Sequence, residues 1–388
     1  MSDIVLNGIT WGHSRGITPL LAISQRFCEM HPHIKINWHK RSLQEFADYP
    51  IEKLTEKYDL LIIDHPWVGT AAATKCVLPL DQYLDEAYLE NQLSNTVGES
   101  HLSYYYNGHQ WALAIDTATP AASYRKDLFA KNNAMIPTTW EELLALTKLG
   151  KVAIPSIPID CLMNFYSFCI AHGQYPFANQ EFLIDREIGL NSLASMFELY
   201  SLLDEKMFSY NPIEVAELMS NSNDYWYCPF AYCYSNYSRK GYAKYQLDYT
   251  STIHFNGQQL KTTIGGTGLS VSAFSKHKDA ALAFAEMAVS EDCQSTLYIQ
   301  HGGQPGHLAA WKSDLSNQLT NDFFKQILPL MENGFMRPRY HGYLHFQDQA
   351  GKPLQDFLRG KTDAITALDL MNEQYLKSLV TENSTVAL

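Results

Sequence analysis

The first 65 residues switch hydrophobic period from one stretch to the next, and the order of the switches admits few folds. "IVLNGITWG" (4–12) reads as a strand. "GITPLLAISQRFCEMHP" carries Leu20, Ile23, Phe27 and Met30 at helical spacing, with Pro19 early enough for a first turn. "HIKINWHKRS" sets Ile34, Ile36 and Trp38 against Lys35, Asn37, His39 and Arg41, the period of a half-exposed strand. "PIEKLTEK" is helical again, and "YDLLIID" is a compact apolar strand of the kind buried in a parallel sheet. The order β-α-β-α-β predicts a doubly wound parallel sheet, whose ligands bind outside the carboxyl ends of the strands. Trp11, His13, Arg15, Arg41, Asp64 and Trp67 fall at such ends.

At 388 residues the chain exceeds one ordinary core, so two domains are expected. A formal charge of −12 argues against a nucleic-acid partner, because binding phosphate backbones relies on a basic surface. No stretch approaches ~18 uninterrupted apolar residues, so no membrane insertion is expected. "MSDIVLNGITWGHSRG" lacks the basic and apolar regions of a secretory signal, and the seven cysteines are odd in number and scattered. Both point to a cytoplasmic protein, or to a periplasmic one from which a signal has been removed.

Further along, "NGHQWALAIDTATPAASYRKDLF" is a long extended segment containing Asp116 and Pro120, a candidate crossing into the second domain. "TTWEELLALTKLG" opens with Thr139 as N-cap and Glu142 three residues on, a capping box. "NDYWYCPFAYCYSNYS" is a strand-rich aromatic segment, and "GGTGLSVSAFSK" reads as a glycine turn and strand that bring the chain back.

Three pieces in register then carry a resemblance. They are a Pro-x-Thr-Trp-x-Glu-Leu helix start at 137–143, a Gly-Gly strand followed by "SK" and an "AA"-x-x-Phe helix, and a "GGQP" loop at 302–305. Together the chain resembles the family 1 extracellular solute-binding proteins, the binding components of ABC importers, mostly for sugars, from about residue 4 to 385. The resemblance implies an α/β, periplasmic-binding-protein-like type II fold, two lobes joined by a hinge that close over a ligand in an interlobe cleft. Lobe 1 is then 1–115 plus 265–315, and lobe 2 is 116–264 plus 316–388. A small-molecule ligand, an ABC permease as partner, a monomer, and no cofactor or metal are the corresponding expectations.

For "DHPW" (64–67) three readings stand side by side. Asp64 orienting His65 is the start of a catalytic dyad, but no G-x-S-x-G nucleophile context accompanies it. His13, His39 and His65 near strand ends could hold a metal, although no H-x-x-x-H or H-x-H spacing occurs. In the binding reading Asp64 accepts from ligand hydroxyls and Trp67 offers an apolar face opposite Trp11, which suits a sugar. Arg15, Arg41, His13 and His39 add the option of an anionic ligand, since guanidinium forks and helix N–H groups suit carboxylate or phosphate. The alternative for Arg15 is pairing with an acidic neighbour. On the second lobe Trp226 and Tyr232 are candidates. The resemblance implies that Asp116 is a hinge residue and that Gly265, Gly266 and Thr267 are backbone at the ligand. The resemblance implies an aromatic from "RPRYHGYLHFQ", Tyr340 or Tyr343. The leading expectation is non-catalytic binding of a sugar or an acidic or phosphorylated sugar-like compound for import. A cytoplasmic carrier or sensor of an anionic metabolite comes second, and an enzyme using Asp64 and His65 third.

Overall fold

The computed structural model describes residues 3–42 and 51–385, with side chains described through 379. Twelve strands are formed among them: β1 (Ile4–Trp11), β2 (Ile34–Arg41), β3 (Leu60–Ile63), β4 (Tyr105–Tyr106), β5 (His109–Gln110), β6 (Leu113–Ala118), β7 (Pro120–Tyr124), β8 (Tyr227–Tyr232), β9 (Asp248–Thr250), β10 (His254–Phe255), β11 (Gln258–Gln259) and β12 (Gly265–Val271). The chain packs into two compact units. The first is Met1–Ala118, Ile264–Glu332 and Arg339–His341; the second is Thr119–Thr263, Asn333–Pro338 and Gly342–Leu388.

The first unit is built on a five-stranded sheet in the order β2-β1-β3-β12-β6. β1 pairs in parallel with β2 and β3, as the alternating periods predict. β3 is four apolar residues, all buried, which is what a strand covered on both faces requires. The sheet is nevertheless mixed rather than wholly parallel: β12 runs antiparallel to both β3 and β6. The chain comes back from the second unit at Ile264, so its returning strand starts at the edge where β1 and β3 finish. The expected glycine turn is absent for the same reason. Gly265 and Gly266 already belong to the strand, where Gly266 takes a φ of +105° and a Cβ would collide with the carbonyl of Asp116.

The helix Ser14–Met30 covers one face of this sheet through Leu20, Ile23 and Phe27, with Phe27 edge-on to Phe284 at 5.4 Å. Burying each of these side chains contributes about 1.5–3 kcal/mol. His13 caps the helix by accepting the Arg15 N–H on Nδ1 at 3.0 Å. Because the helix begins at Ser14, Pro19 lies in its second turn, one turn deeper than expected, and the Arg15 carbonyl loses its helical donor. Of "PIEKLTEK", Ile51–Thr55 is helical, while Pro50 lies outside the described residues.

In the second unit the sheet is β8-β7-β9, all antiparallel, with helices packed around it. Thr139 and Glu142 form the reciprocal capping box at the start of Trp140–Lys148. The helices Pro158–Ala171, Tyr343–Leu358 and Ala364–Thr385 share an aromatic core that includes Tyr166, Phe177, Tyr343, Phe346 and Tyr375. Residues 316–332, expected with the second lobe, pack with the first unit. Phe324 there sits edge-on to Trp311 at 5.0 Å, which draws the helix Phe323–Glu332 to that side.

Candidate functional site

The parallel run of β1, β2 and β3 brings their carboxyl ends to one edge of the first sheet. The antiparallel pairing of β12 puts its start, and the end of β6, at that same edge. Trp11 and Arg41 are partners in register at the ends of β1 and β2. His13 follows Trp11, Asp64 follows β3, and Gly266 and Thr267 lie opposite Thr117 and Asp116. Segments far apart in sequence therefore deliver polar and aromatic groups to one rim, and each arrives there because a strand ends.

Asp64 stops β3 and caps a 3-10 turn, His65–Trp67, by accepting the His65 N–H on Oδ1 at 2.9 Å. Its side chain is half-buried; His65 is wholly buried, and Trp67 keeps 7% exposure in the turn. His65 Nδ1 is 3.3 Å from Asp64 Oδ1, and its ring is edge-on to Tyr104 at 6.4 Å. Wholly buried, the imidazole is a packed group of the strand end. Among the described residues no three His, Cys, Asp or Glu side chains are gathered to hold a metal. His13 is held neutral: burial first, then the neighbouring Arg15, lower its pKa to about 4. With Nδ1 accepting the Arg15 amide, its proton is on Nε2, so this ring enters the rim as a donor.

Arg15 and Asp116 are not two separate ligand contacts. Arg15 Nε donates to Asp116 Oδ2 at 2.8 Å, and Nη2 donates to Oδ1, a two-pronged ion pair. The residues are 4% and 1% exposed, so the fork is committed inside the unit. The acidic neighbour weighed for Arg15 thus exists, but it is interior. Burial pushes the Asp116 carboxyl up, while Arg15 and a hydrogen bond from the Gln304 backbone pull it down. Trp11 likewise packs inward, its ring against Gly16, where any Cβ would strike it. Thr267 is also buried, and its Oγ1 makes no hydrogen bond among the described residues.

Of the two tyrosines expected from "RPRYHGYLHFQ", Tyr340 joins the first unit, against expectation, and Tyr343 lies within the second. The backbone of 339–341 runs against Gly69, where a Cβ would collide with the Arg339 carbonyl, so Tyr340 lies beside the turn that holds Trp67. Arg339 latches this segment by donating to the carbonyls of Leu102 at 2.6 Å and Tyr105 at 2.5 Å. His341 adds a contact to Thr70 Oγ1 at 3.2 Å. Tyr343 is fully buried with its hydroxyl 3.3 Å from that of Tyr166, a core position and not a ligand contact.

The second-unit candidates separate as well. Tyr232 pairs with Pro120, next to the crossing at Ala118–Thr119, and its hydroxyl meets Thr263 Oγ1 at 2.8 Å. Trp226 lies beyond the far end of β8, edge-on to Phe129 at 5.9 Å, with Lys151 Nζ 5.5 Å from its ring centre. Six residues of extended chain span roughly 20 Å, so the two rings cannot serve one small ligand.

Sequence reasoning missed the role of the "GGQP" loop. Pro305 bridges to Asp116, Gln304 Nε2 donates to the Thr117 carbonyl at 2.7 Å, and Thr117 Oγ1 donates to the Pro305 carbonyl at 2.8 Å. The loop thereby closes the open side of β6 at the rim. The motif was visible, but its partner, more than 180 residues away, was not.

Against known proteins, residues 22–314 match the family described as bacterial extracellular solute-binding protein. Solved structures agree over nearly the whole length. Maltose-bound MalE3 of T. maritima superposes with a TM-score of 0.84 at 19% identity, covering 96% of this chain and 99% of that one. An ABC transporter solute-binding protein from Agrobacterium radiobacter K84, in complex with ribitol, gives 0.82 at 19%, covering 97% and 99%. The GacH receptor of Streptomyces glaucescens, solved unliganded and with acarbose, gives 0.80 at 18%, covering 98% and 99%. Identities this low establish the fold, the two-lobed mixed α/β type II periplasmic-binding-protein fold. The family match spans about three quarters of the chain, and on that ground the protein belongs to the bacterial extracellular solute-binding proteins.

Proposed function

We propose that the protein captures a small neutral polyhydroxylated solute, a sugar or a polyol, without chemical turnover, and presents it to an ABC permease. The observation that carries this reading is the convergence of Asp64, His13, Trp67 and Tyr340 on one sheet edge from separate stretches of chain. A carboxylate acceptor, an imidazole donor and aromatic rings match the polar rim and apolar C–H face of a sugar. Maltose, ribitol and acarbose in the similar structures support the same ligand class. The engagement of Arg15 with Asp116 removes one of the two guanidinium groups on which an anionic ligand depended. We place the protein outside the cytoplasm, acting as a monomer; recovery of the native product only in the cytoplasm would replace import with a carrier or sensor role.

Titration calorimetry with maltose, ribitol and mannitol tests the reading. At least one should bind with micromolar affinity, about −8 kcal/mol. Asp64→Ala and Trp67→Ala should each weaken that affinity tenfold or more. If both variants bind as the parent does, the ligand lies elsewhere. Binding of inorganic phosphate or a dicarboxylate in preference to all three would return the ligand to the anionic class.

A further inference from the structure

The helix Pro158–Ala171 begins deep in the second unit with an acid that has no counter-ion among the described residues. Asp160 is its third residue and is 6% exposed. Its Oδ2 makes no hydrogen bond among the described residues. The helix start is closed on several sides. Ser156 N–H donates to the carbonyls of Met207 and Tyr210. Gln355 Nε2 donates to the carbonyls of Ser156 at 2.8 Å and Phe208 at 2.9 Å. A Cβ on Gly351 would collide with the Pro158 carbonyl, so there is no slack on that side.

The titratable groups acting with Asp160 are all acids. They are Cys161 on its own helix, Tyr200 on the helix Arg186–Tyr200, Cys228 on β8, and Glu214 on the helix Pro212–Asn221. The two thiols and the phenol are buried, and burial holds their protons on. Glu214 is exposed and is the nearby charge that acts on Asp160. An acid at the third position of a helix normally gains from the helix dipole when ionised. Here desolvation opposes ionisation, and the like charge of Glu214 adds to it.

We propose that Asp160 is carried as a neutral acid in the folded protein and makes the second unit lose stability as pH rises from the acid range to about 8, because the unfolded chain can ionise this carboxyl in water and the buried, unpaired helix start cannot. Burial and Glu214 raise its pKa from the usual 3.8 to about 8. The direction follows from linkage. The unfolded chain gives up this proton near pH 4, the folded one near pH 8, so its contribution favours folding most below pH 4. That contribution falls about tenfold in the folding constant per pH unit up to about pH 8, then levels off. The device is independent of the ligand reading, which rests on the first unit.

Denaturant unfolding of the full chain at pH 5, 6, 7 and 8, compared with Asp160→Asn, tests it. The ratio of folding constants, variant over parent, should rise about tenfold per unit as pH increases. A ratio constant from pH 5 to pH 8 overturns the proposal. If the variant does not fold, 13C carboxyl shifts of the aspartate-labelled parent decide: one aspartate should titrate near pH 8, and none titrating above pH 6 overturns it. Glu214→Gln keeps the capping-box geometry with Asn211 while removing the charge, and should move that titration to lower pH.

Discussion

Asp116 in the first unit and Asp160 in the second are both aspartates shut away from water, yet their surroundings treat them in opposite ways. Asp116 has a guanidinium fork across it, donated by a residue 101 positions earlier. Asp160 has burial, two thiols, a phenol and a glutamate. Burial alone does not decide charge: it raises the cost of ionisation in both, and the presence of a fitted cation decides which acid can stay ionised. The second unit can also satisfy a buried ion fully. Arg125, with no exposure, donates to both carboxylate oxygens of Asp127, to two carbonyls and to Asn223 Oδ1. The unpaired state of Asp160 is therefore local to its helix start.

The comparison can be broken most forcefully at the ion pair. Asp116→Ala leaves the Arg15 cation buried and should cost about 3–5 kcal/mol of unfolding free energy, read by denaturant titration. Replacing both residues together, Arg15→Met with Asp116→Leu, should recover most of that loss, because no orphan charge remains. Next in size is Asp160→Asn, which should gain a few kcal/mol at pH 7 relative to its effect at pH 4. If both acids responded to substitution alike, the distinction drawn between them would fail.

Smaller effects sharpen the contrast between the edge of the first sheet and the far end of β8. Trp226→Ala should leave affinity for a sugar or polyol within about twofold, whereas Trp67→Ala should lower it about tenfold, a difference of about 1.4 kcal/mol. The smallest expected effect on affinity concerns His13. Its folded pKa of about 4 lies below the unfolded value of 6.5, so the parent should lose stability as pH falls from 6.5 toward 4. Ligand affinity should stay flat from pH 6 to 8, since the ring is neutral throughout. A binding curve that follows a group titrating near pH 6.5 would remove His13 from the rim in its neutral form.

Local pattern made the first sheet legible. The four apolar residues of β3, the alternation in β2 and the helical spacing of Leu20, Ile23 and Phe27 state their environments, because strand and helix periods depend only on near neighbours. The position of the rim followed, since parallel strands end together. The pairing of Arg15 with Asp116 was not legible: nothing near either residue names a partner across the unit. The same holds for Tyr340 and Tyr343, two residues apart, one beside the turn of Trp67 and the other in a core of tyrosines and phenylalanines. Trp226 and Tyr232 looked equivalent in one aromatic segment until the pairing of β7 with β8 put them at opposite ends.

Periodicity, capping residues and motif order thus settled the class of fold, the β-α-β-α-β start and the edge at which those strands end together, because those features arise from interactions between residues close in the chain. Which rim residues are spoken for by one another, which aromatic belongs to which unit, and which buried acid keeps its proton were decided only when distant segments met. Charge and hydrogen bonding act over a few ångströms of space, and the order of residues along a chain does not specify that distance until the chain is folded.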